Sequence, residues 1–337
     1  MKRLFFCLAS VGLWLVVISS VSMSGDLTVA KYAGEFISTG VGARGLGMGG
    51  AYVAICTDVT AGYWNPAGLI GLKYPQVMLM HASRFSGIVK YDYAAFALPA
   101  GRFSSLGISM IRLGVDDIPI TALANADLPL SETNRPYIEK MVSDAEYAFY
   151  LSYAKAVVGR FSYGANIKLI RKSVGENSAW GIGFDFGVLL NPIANLRFGA
   201  NLQDGTTTLL AWDTNRKELI SPTLKIGFAY PFALNILSSK ITPALDFDTR
   251  FENRRSAAQT NLGPISLDFH LGLEYRVFNA VALRIGSDVG RFSAGTGLYL
   301  PQLLIDYAFM SHDELGDTHR VSLKVSIEKS KFKRSYR

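Results

Sequence analysis

Residues 266–278, SLDFHLGLEYRVF, alternate without interruption. Leu267, Phe269, Leu271, Leu273, Tyr275 and Val277 fall on one side of an extended chain. Ser266, Asp268, His270, Gly272, Glu274 and Arg276 fall on the other. Period-two spacing places two such sets on opposite faces of a strand. NLRFGANLQ (195–203) and RVSLKVSIE (320–328) repeat the pattern, and FSYGANIKLIR, GIGFDFGVLL and TLKIGFAY follow it less strictly. Roughly fourteen strands fit between Gln76 and Glu328, an even number as bacterial membrane barrels prefer. Many run about 9–11 residues, enough to cross a bilayer at a tilt and longer than the usual strand of a soluble domain. Two architectures satisfy a strand with one wholly polar face. A soluble, secreted sandwich turns that face to water, whereas a membrane barrel turns it to the lumen.

The connections separate the two. Short ones lie near Pro99, Gly159, Pro192, Phe232, Asn279 and Pro301. In the opposite phase lie Val115–Ala145, Asp204–Ile220, Phe251–Ile265 and Ser311–His319, together with two brief links near Arg84 and Val289. Short turns alternating with long loops are the habit of membrane barrels. Aromatic residues are frequent, with 20 Phe and 16 Tyr. Tyr91, Phe103, Phe161, Tyr230, Phe278 and Phe309 sit near predicted strand ends, where barrels carry interfacial girdles. The expected fold is therefore all-β, a transmembrane antiparallel β-barrel of about fourteen strands.

Composition agrees. Hydrophobic residues make up 49% of the chain and charged residues 18%, yet beyond the first residues no apolar run suits a membrane helix. Residues 1–24 have the pattern of a secretory signal peptide: Lys2 and Arg3, an apolar stretch Leu4–Ser19, and small residues before a cut between Ser24 and Gly25. A retained anchor is the alternative. Cys7 lies too early in the apolar stretch for a lipoprotein, and Cys56 alone makes no intrachain disulfide. The net charge of +7 is spread along the chain, without the clustering that nucleic-acid binding needs. The basic tail 329–337 reads as a solvated end, with acidic lipid or a partner as the alternative.

Residues 25–74 do not alternate. They contain GARGLGMGGAYVAICTDVTAGYWNPAGL, in which Gly45, Gly47 and Gly50 form G-x-G-x-x-G. A dinucleotide turn needs a buried strand before it, a helix after it and an acidic residue about 20 positions on. KYAGEFISTGVGA is no such strand, and Asn65-Pro66 and Gly68 stop a helix. His81, His270, His312 and His319 form no zinc motif, and there is no G-x-S-x-G elbow. Asp116-Asp117 is a weak calcium candidate beside the simpler reading of a solvated loop. Asp268, Glu274 and Arg276 read as charges paired across a polar lumen wall rather than as an acid–base set. No enzyme activity, cofactor or metal is expected.

KYAGEFISTGVGARGLGMGGAYVA, DVTAGYWNPAGL and the closing YAFMSHDELGDTHRVSL together resemble the PorV/PorQ family, which belongs with the FadL-like outer-membrane barrels. The resemblance implies a fourteen-stranded barrel with an N-terminal hatch folded into its lumen, which divides the chain into the signal peptide (1–24), the hatch (25–74), the barrel (75–328) and the basic tail (329–337). The hatch motif comprises Gly42, Arg44, Gly45, Gly47, Gly49, Gly50, Asp58, Trp64, Asn65, Pro66, Ala67 and Gly68. Glycines there allow positive φ and close backbone approach. PorV-like members act in protein secretion or surface attachment through the type IX system, which implies secreted or attachment-complex proteins as partners. FadL-like members pass hydrophobic small molecules across the outer membrane. One departure is that the last strand ends in KSKFKRSYR rather than on a terminal aromatic.

Overall fold

The computed structural model describes residues 27–28, 33–157, 161–193, 195–234, 236–251, 258–312 and 316–334. The expected signal peptide lies outside them. Fourteen strands form the barrel: β1 (Gln76–Arg84), β2 (Val89–Pro99), β3 (Ser104–Leu123), β4 (Pro136–Ala156), β5 (Phe161–Val174), β6 (Asn177–Leu190) and β7 (Arg197–Gln203), then β8 (Thr223–Ala229), β9 (Ser239–Arg250), β10 (Ile265–Val277), β11 (Val281–Asp288), β12 (Arg291–Leu300), β13 (Leu303–Met310) and β14 (Thr318–Ser326). Each pairs antiparallel with the next. β14 closes on β1, from His319 opposite Ser83 to Ser326 opposite Gln76. Closure leaves no barrel strand as a free edge.

Alternation sets the two faces, and the faces are inverted relative to a water-soluble protein. Leu79, Ile108, Leu151, Ile182, Leu271, Ile285 and Leu323 are exposed on the outside. Asn166, Lys168, Asp185, Asp246, Glu274, Arg284, Asp306 and Arg320 are buried on the inside. Charged side chains are rarely buried unless they are paired, so the polar faces in the sequence mark a filled lumen. Among the described residues no helix is long and apolar enough to cross a membrane. Phe103, Phe161, Tyr230 and Phe278 are exposed at the short-turn end, and Trp180, Phe251 and Phe292 at the other. Tyr91 is not part of a girdle: its side chain is fully buried in the lumen. It lies opposite the inward-facing Ala82, so the register turns it inward.

Two expectations about connections change. The predicted long loop 115–145 is mostly β-structure. β3 and β4 continue pairing through Ala122 opposite Tyr137, past a bulge between Val115 and Ile118, where Asp117 has φ of 56°. The alternation fades there because both faces of this projecting hairpin are largely exposed. The segment between β7 and β8 also holds a hairpin, Thr208–Trp212 with Lys217–Ile220. Its first strand pairs with β6, so the wall continues upward after a register break. Behind the break Lys168 binds Asp185 at 3.2 Å and Asp204 at 2.6 Å.

Residues 33–72 form no barrel strand. They fold into α1 (Glu35–Ser38), α2 (Ala43–Gly47), α3 (Ala61–Trp64) and a 3-10 turn, Pro66–Gly71. Each helix is a turn or so long because glycine and proline interrupt it. Asn65 caps the last one by accepting from the amide of Ala67, with Pro66 at its first position. Nearly every residue from Val41 to Leu69 is buried. The tail is not simply solvated. Arg334 is buried, donates to the carbonyls of Leu72 and Arg102, and bonds Ser105. It ties the tail to the point where the chain leaves the lumen for β1.

Candidate functional site: the plugged lumen

The plug is held by polar side chains from most of the wall. Arg44 on α2 forms a two-bond pair with Glu274 of β10, at 2.7 and 2.9 Å. Glu274 also accepts from Arg276 at 3.0 Å and Arg284 at 2.8 Å, and Arg284 reaches Asp306 at 2.7 Å. Asp246 of β9 accepts the amides of Tyr52 and Val53 at 2.7 and 2.8 Å. Asn166 of β5 donates to the carbonyl of Gly62 at 2.7 Å, and Asn201 of β7 donates to that of Trp64 at 2.9 Å. Ser105 of β3 donates to the carbonyl of Leu69 at 2.7 Å. These bonds satisfy backbone groups that an irregular segment cannot pair within itself.

The twelve motif residues all lie in this plug. Gly42 opens α2 with φ of 78°, and its amide meets the Met80 sulfur at 3.0 Å. Gly45 packs on the Trp64 indole, Gly47 on the backbone of Gly295, and Gly50 on the His270 ring. Gly49 has φ of 61°, and a Cβ there would stand 2.5 Å from the Leu271 carbonyl oxygen. On Gly68 it would stand 1.9 Å from the Cys56 carbonyl oxygen. The Trp64 indole donates to the Val41 carbonyl at 2.9 Å and meets Tyr52 and Tyr63 edge-on. Asn65 donates to the carbonyls of Val53 at 3.2 Å and Val188 at 3.0 Å, bridging plug and wall. Pro66 and Ala67 pack against wall positions Gly187 and Gly164.

Asp58 pairs with Lys324 of β14 at 2.6 Å. Burial opposes its charge, but Lys324 and the Thr60 hydroxyl more than offset this and hold the carboxyl below the ordinary carboxylate range. Burial pushes the Cys56 thiol upward, so it is no ready nucleophile. The glycine triplet Gly45, Gly47 and Gly50 is thus a packing device. Asp116 pairs with Lys90 at 2.8 Å, and no metal-binding group of His, Cys, Asp and Glu occurs among the described residues. His319 lies on β14 rather than in a turn, bonded to the Tyr307 hydroxyl at 2.8 Å.

Two cavities flank the plug. One of about 510 Å³ opens at the long-connection end, with Gly50, Trp64 and Leu46 among its lining residues. Its wall carries Arg84, Lys225, Asp248, His270, Asp288 and Arg320. Another of about 500 Å³ lies at the short-turn end, against Ala54, Thr57, Gly68, Ile193 and Arg197. The two share no lining residue. The sequence singled out the plug but not Arg84, Arg320, Asp246 or Asp248. Each looks like any other polar position on an alternating strand, and only the barrel register brings it to the plug.

No family model and no curated protein matches the sequence. Solved structures do match. The toluene transporter TbuX of Ralstonia pickettii aligns at 15% identity and TM-score 0.57, covering 85% of this chain and 97% of that one. The monoaromatic hydrocarbon channel CymD aligns at 14% identity and TM-score 0.60, covering 86% and 98%. A FadL homologue of Pseudomonas aeruginosa aligns at 12% identity and TM-score 0.55, covering 86% and 98%. At these identities the likeness is one of fold, and it extends over nearly the full length of each neighbour.

Proposed function

We propose that this chain is a non-enzymatic channel of a bacterial outer membrane, closed by residues 33–72 and opened when they move. The observation that carries the reading is the pair of cavities on opposite sides of one plug, inside a barrel with an apolar exterior. A solute held in the upper cavity has no path to the lower one while Gly50–Ala54 and Trp64–Ala67 stay in place. The exposed apolar belt and its two aromatic rims fit lipid. The long-connection end then faces outward and the short-turn end the periplasm. Small, largely apolar molecules are the passengers, by analogy with a toluene transporter and a monoaromatic hydrocarbon channel of the same fold. The neighbouring folds favour this over service in protein secretion, for which the support is motif resemblance alone.

The test is flux in proteoliposomes. Deleting Gly45–Gly50 removes most of α2 and the close packing of Gly47, Gly49 and Gly50 on the wall, and should raise the permeation of small solutes well above that of the intact protein. Equal permeation in a deletion variant that still shows a heat-dependent gel shift would sink the gating role. Solubility of the intact protein without detergent would defeat the membrane reading.

A further inference from the structure

The upper cavity is not electrically uniform. On one side the charges are paired in a chain. Lys225 binds Asp248, His270 lies 3.5 Å from Asp248 and 2.9 Å from Asp288, and Arg291 meets Asp288 at 3.3 Å. Arg84 of β1 and Arg320 of β14 line the same cavity. Among the described residues neither guanidinium has a carboxylate within salt-bridge distance. Arg320 is 1% exposed. Its two terminal nitrogens donate to backbone carbonyls, Gly40 at 3.0 Å, Thr39 at 3.3 Å and Gly42 at 3.5 Å. Arg84 donates to the Thr39 hydroxyl at 3.1 Å. The Nε of each arginine is buried without a hydrogen-bond partner, as is the Tyr91 hydroxyl. The Tyr91 ring lies 5.6 Å from the Arg320 guanidinium.

A buried cation without an anion costs several kcal/mol, and guanidinium N–H groups are strong donors to oxyanions. We propose that Arg84 and Arg320 form a binding site for the oxyanionic group of a small solute, a carboxylate, sulfonate or phosphate, inside the mouth of the lumen. Phe36, Leu113 and Met310 on the same cavity wall accept the solute's apolar part. The ligand arrives from solution rather than from the bilayer. The β14–β1 and β1–β2 seams beside the two arginines are paired without a break, so a lipid headgroup has no lateral path there. Arg320 also holds the carbonyls of Thr39, Gly40 and Gly42. An anion that draws its guanidinium away loosens the upper end of the plug, which couples occupancy to opening.

Binding stands on its own, and the passenger role of the anion rests on the transport reading. Sodium benzoate is the probe and benzamide its uncharged counterpart, titrated calorimetrically into the purified protein in non-ionic detergent. Saturable benzoate binding is expected, weakened about tenfold or more in Arg84→Gln, with no saturable binding of benzamide. Arg320→Gln should behave alike, and Arg84→Gln decides the matter if that variant fails to assemble. No saturable benzoate binding, or equal affinity in an assembled Arg84→Gln, overturns the site. Proteoliposome flux separates the two readings. Benzoate that binds but never crosses defeats transport and leaves the site, whereas flux without saturable binding defeats the site and leaves transport.

Discussion

A Cβ on Gly49 would lie 2.5 Å from the Leu271 carbonyl oxygen and from the Ser287 amide nitrogen, at a φ of 61°. Gly49→Ala combines a left-handed backbone with a clash against wall backbone that cannot rotate away, and should cost roughly 2 kcal/mol or more. Thermal unfolding in detergent reads this as a lowered midpoint, and an unchanged midpoint would refute the close packing. Glu274 meets three arginines, two from the wall and one from the plug. Glu274→Ala leaves Arg44 and Arg276 without their carboxylate and Arg284 with Asp306 alone, and should destabilise by about 3 kcal/mol. Replacing Arg44 instead should leave Glu274 two cations and cost less. The Asp58–Lys324 pair has a pH signature. Its folded-state carboxyl pKa is depressed, so the stability it contributes is full above about pH 4, the unfolded value, and is lost as pH falls towards the folded one. Asp58→Asn should lower the unfolding midpoint at neutral pH and flatten its further fall on acidification below about pH 4. The motif residues were legible one by one, as glycines and an Asn-Pro step. Their partners were not, since Glu274 lies 230 positions from Arg44.

At the scale of elements, the β3–β4 hairpin beyond Val115 and the tail after β14 behave differently from the stretches around them. The hairpin projects past the seams of its neighbours, and its pairing continues beyond a bulge. Replacing residues 116–143 with a short turn removes no seam between barrel strands, so the protein should still assemble and show heat-modifiable migration. Loss of assembly would mean that the hairpin nucleates folding. Alternation identified the barrel part of both strands because one face is apolar and exposed and the other buried. It failed above Val115 because a two-sided exposed ribbon has no reason to alternate. The tail's polarity concealed a single buried contact. Truncation before Lys329 removes Arg334 from Leu72, Arg102 and Ser105 and should lower the unfolding midpoint by several degrees. An equal midpoint would make the tail dispensable.

For the whole molecule, the wall and plug form one hydrogen-bonded unit, and opening requires breaking bonds from several strands together. That predicts low conductance for the intact protein in planar bilayers, with Asn65→Ala raising it. Asn65 joins the plug to β6 through the Val188 carbonyl and also holds Val53 and Ala67 in place. Its loss should cost about 2 kcal/mol, of which the share of the Val188 bond falls on the closed state alone. Conductance unchanged in an assembled Asn65→Ala would show that this bond does not restrain the plug.

The sequence by itself determined the all-β class, the strand rhythm, the phase of the turns and the segment that would not alternate. Each of these is local: side-chain period and turn chemistry act over a few residues. Only the tertiary structure decided which buried charge meets which partner, that Arg84 and Arg320 meet no carboxylate among the described residues, and that separate cavities lie on the two sides of the plug. Those depend on the stagger with which β14 closes on β1 and on how residues 33–72 thread the enclosed space. Register at closure is a property of the whole ring, and no stretch of the chain carries it alone.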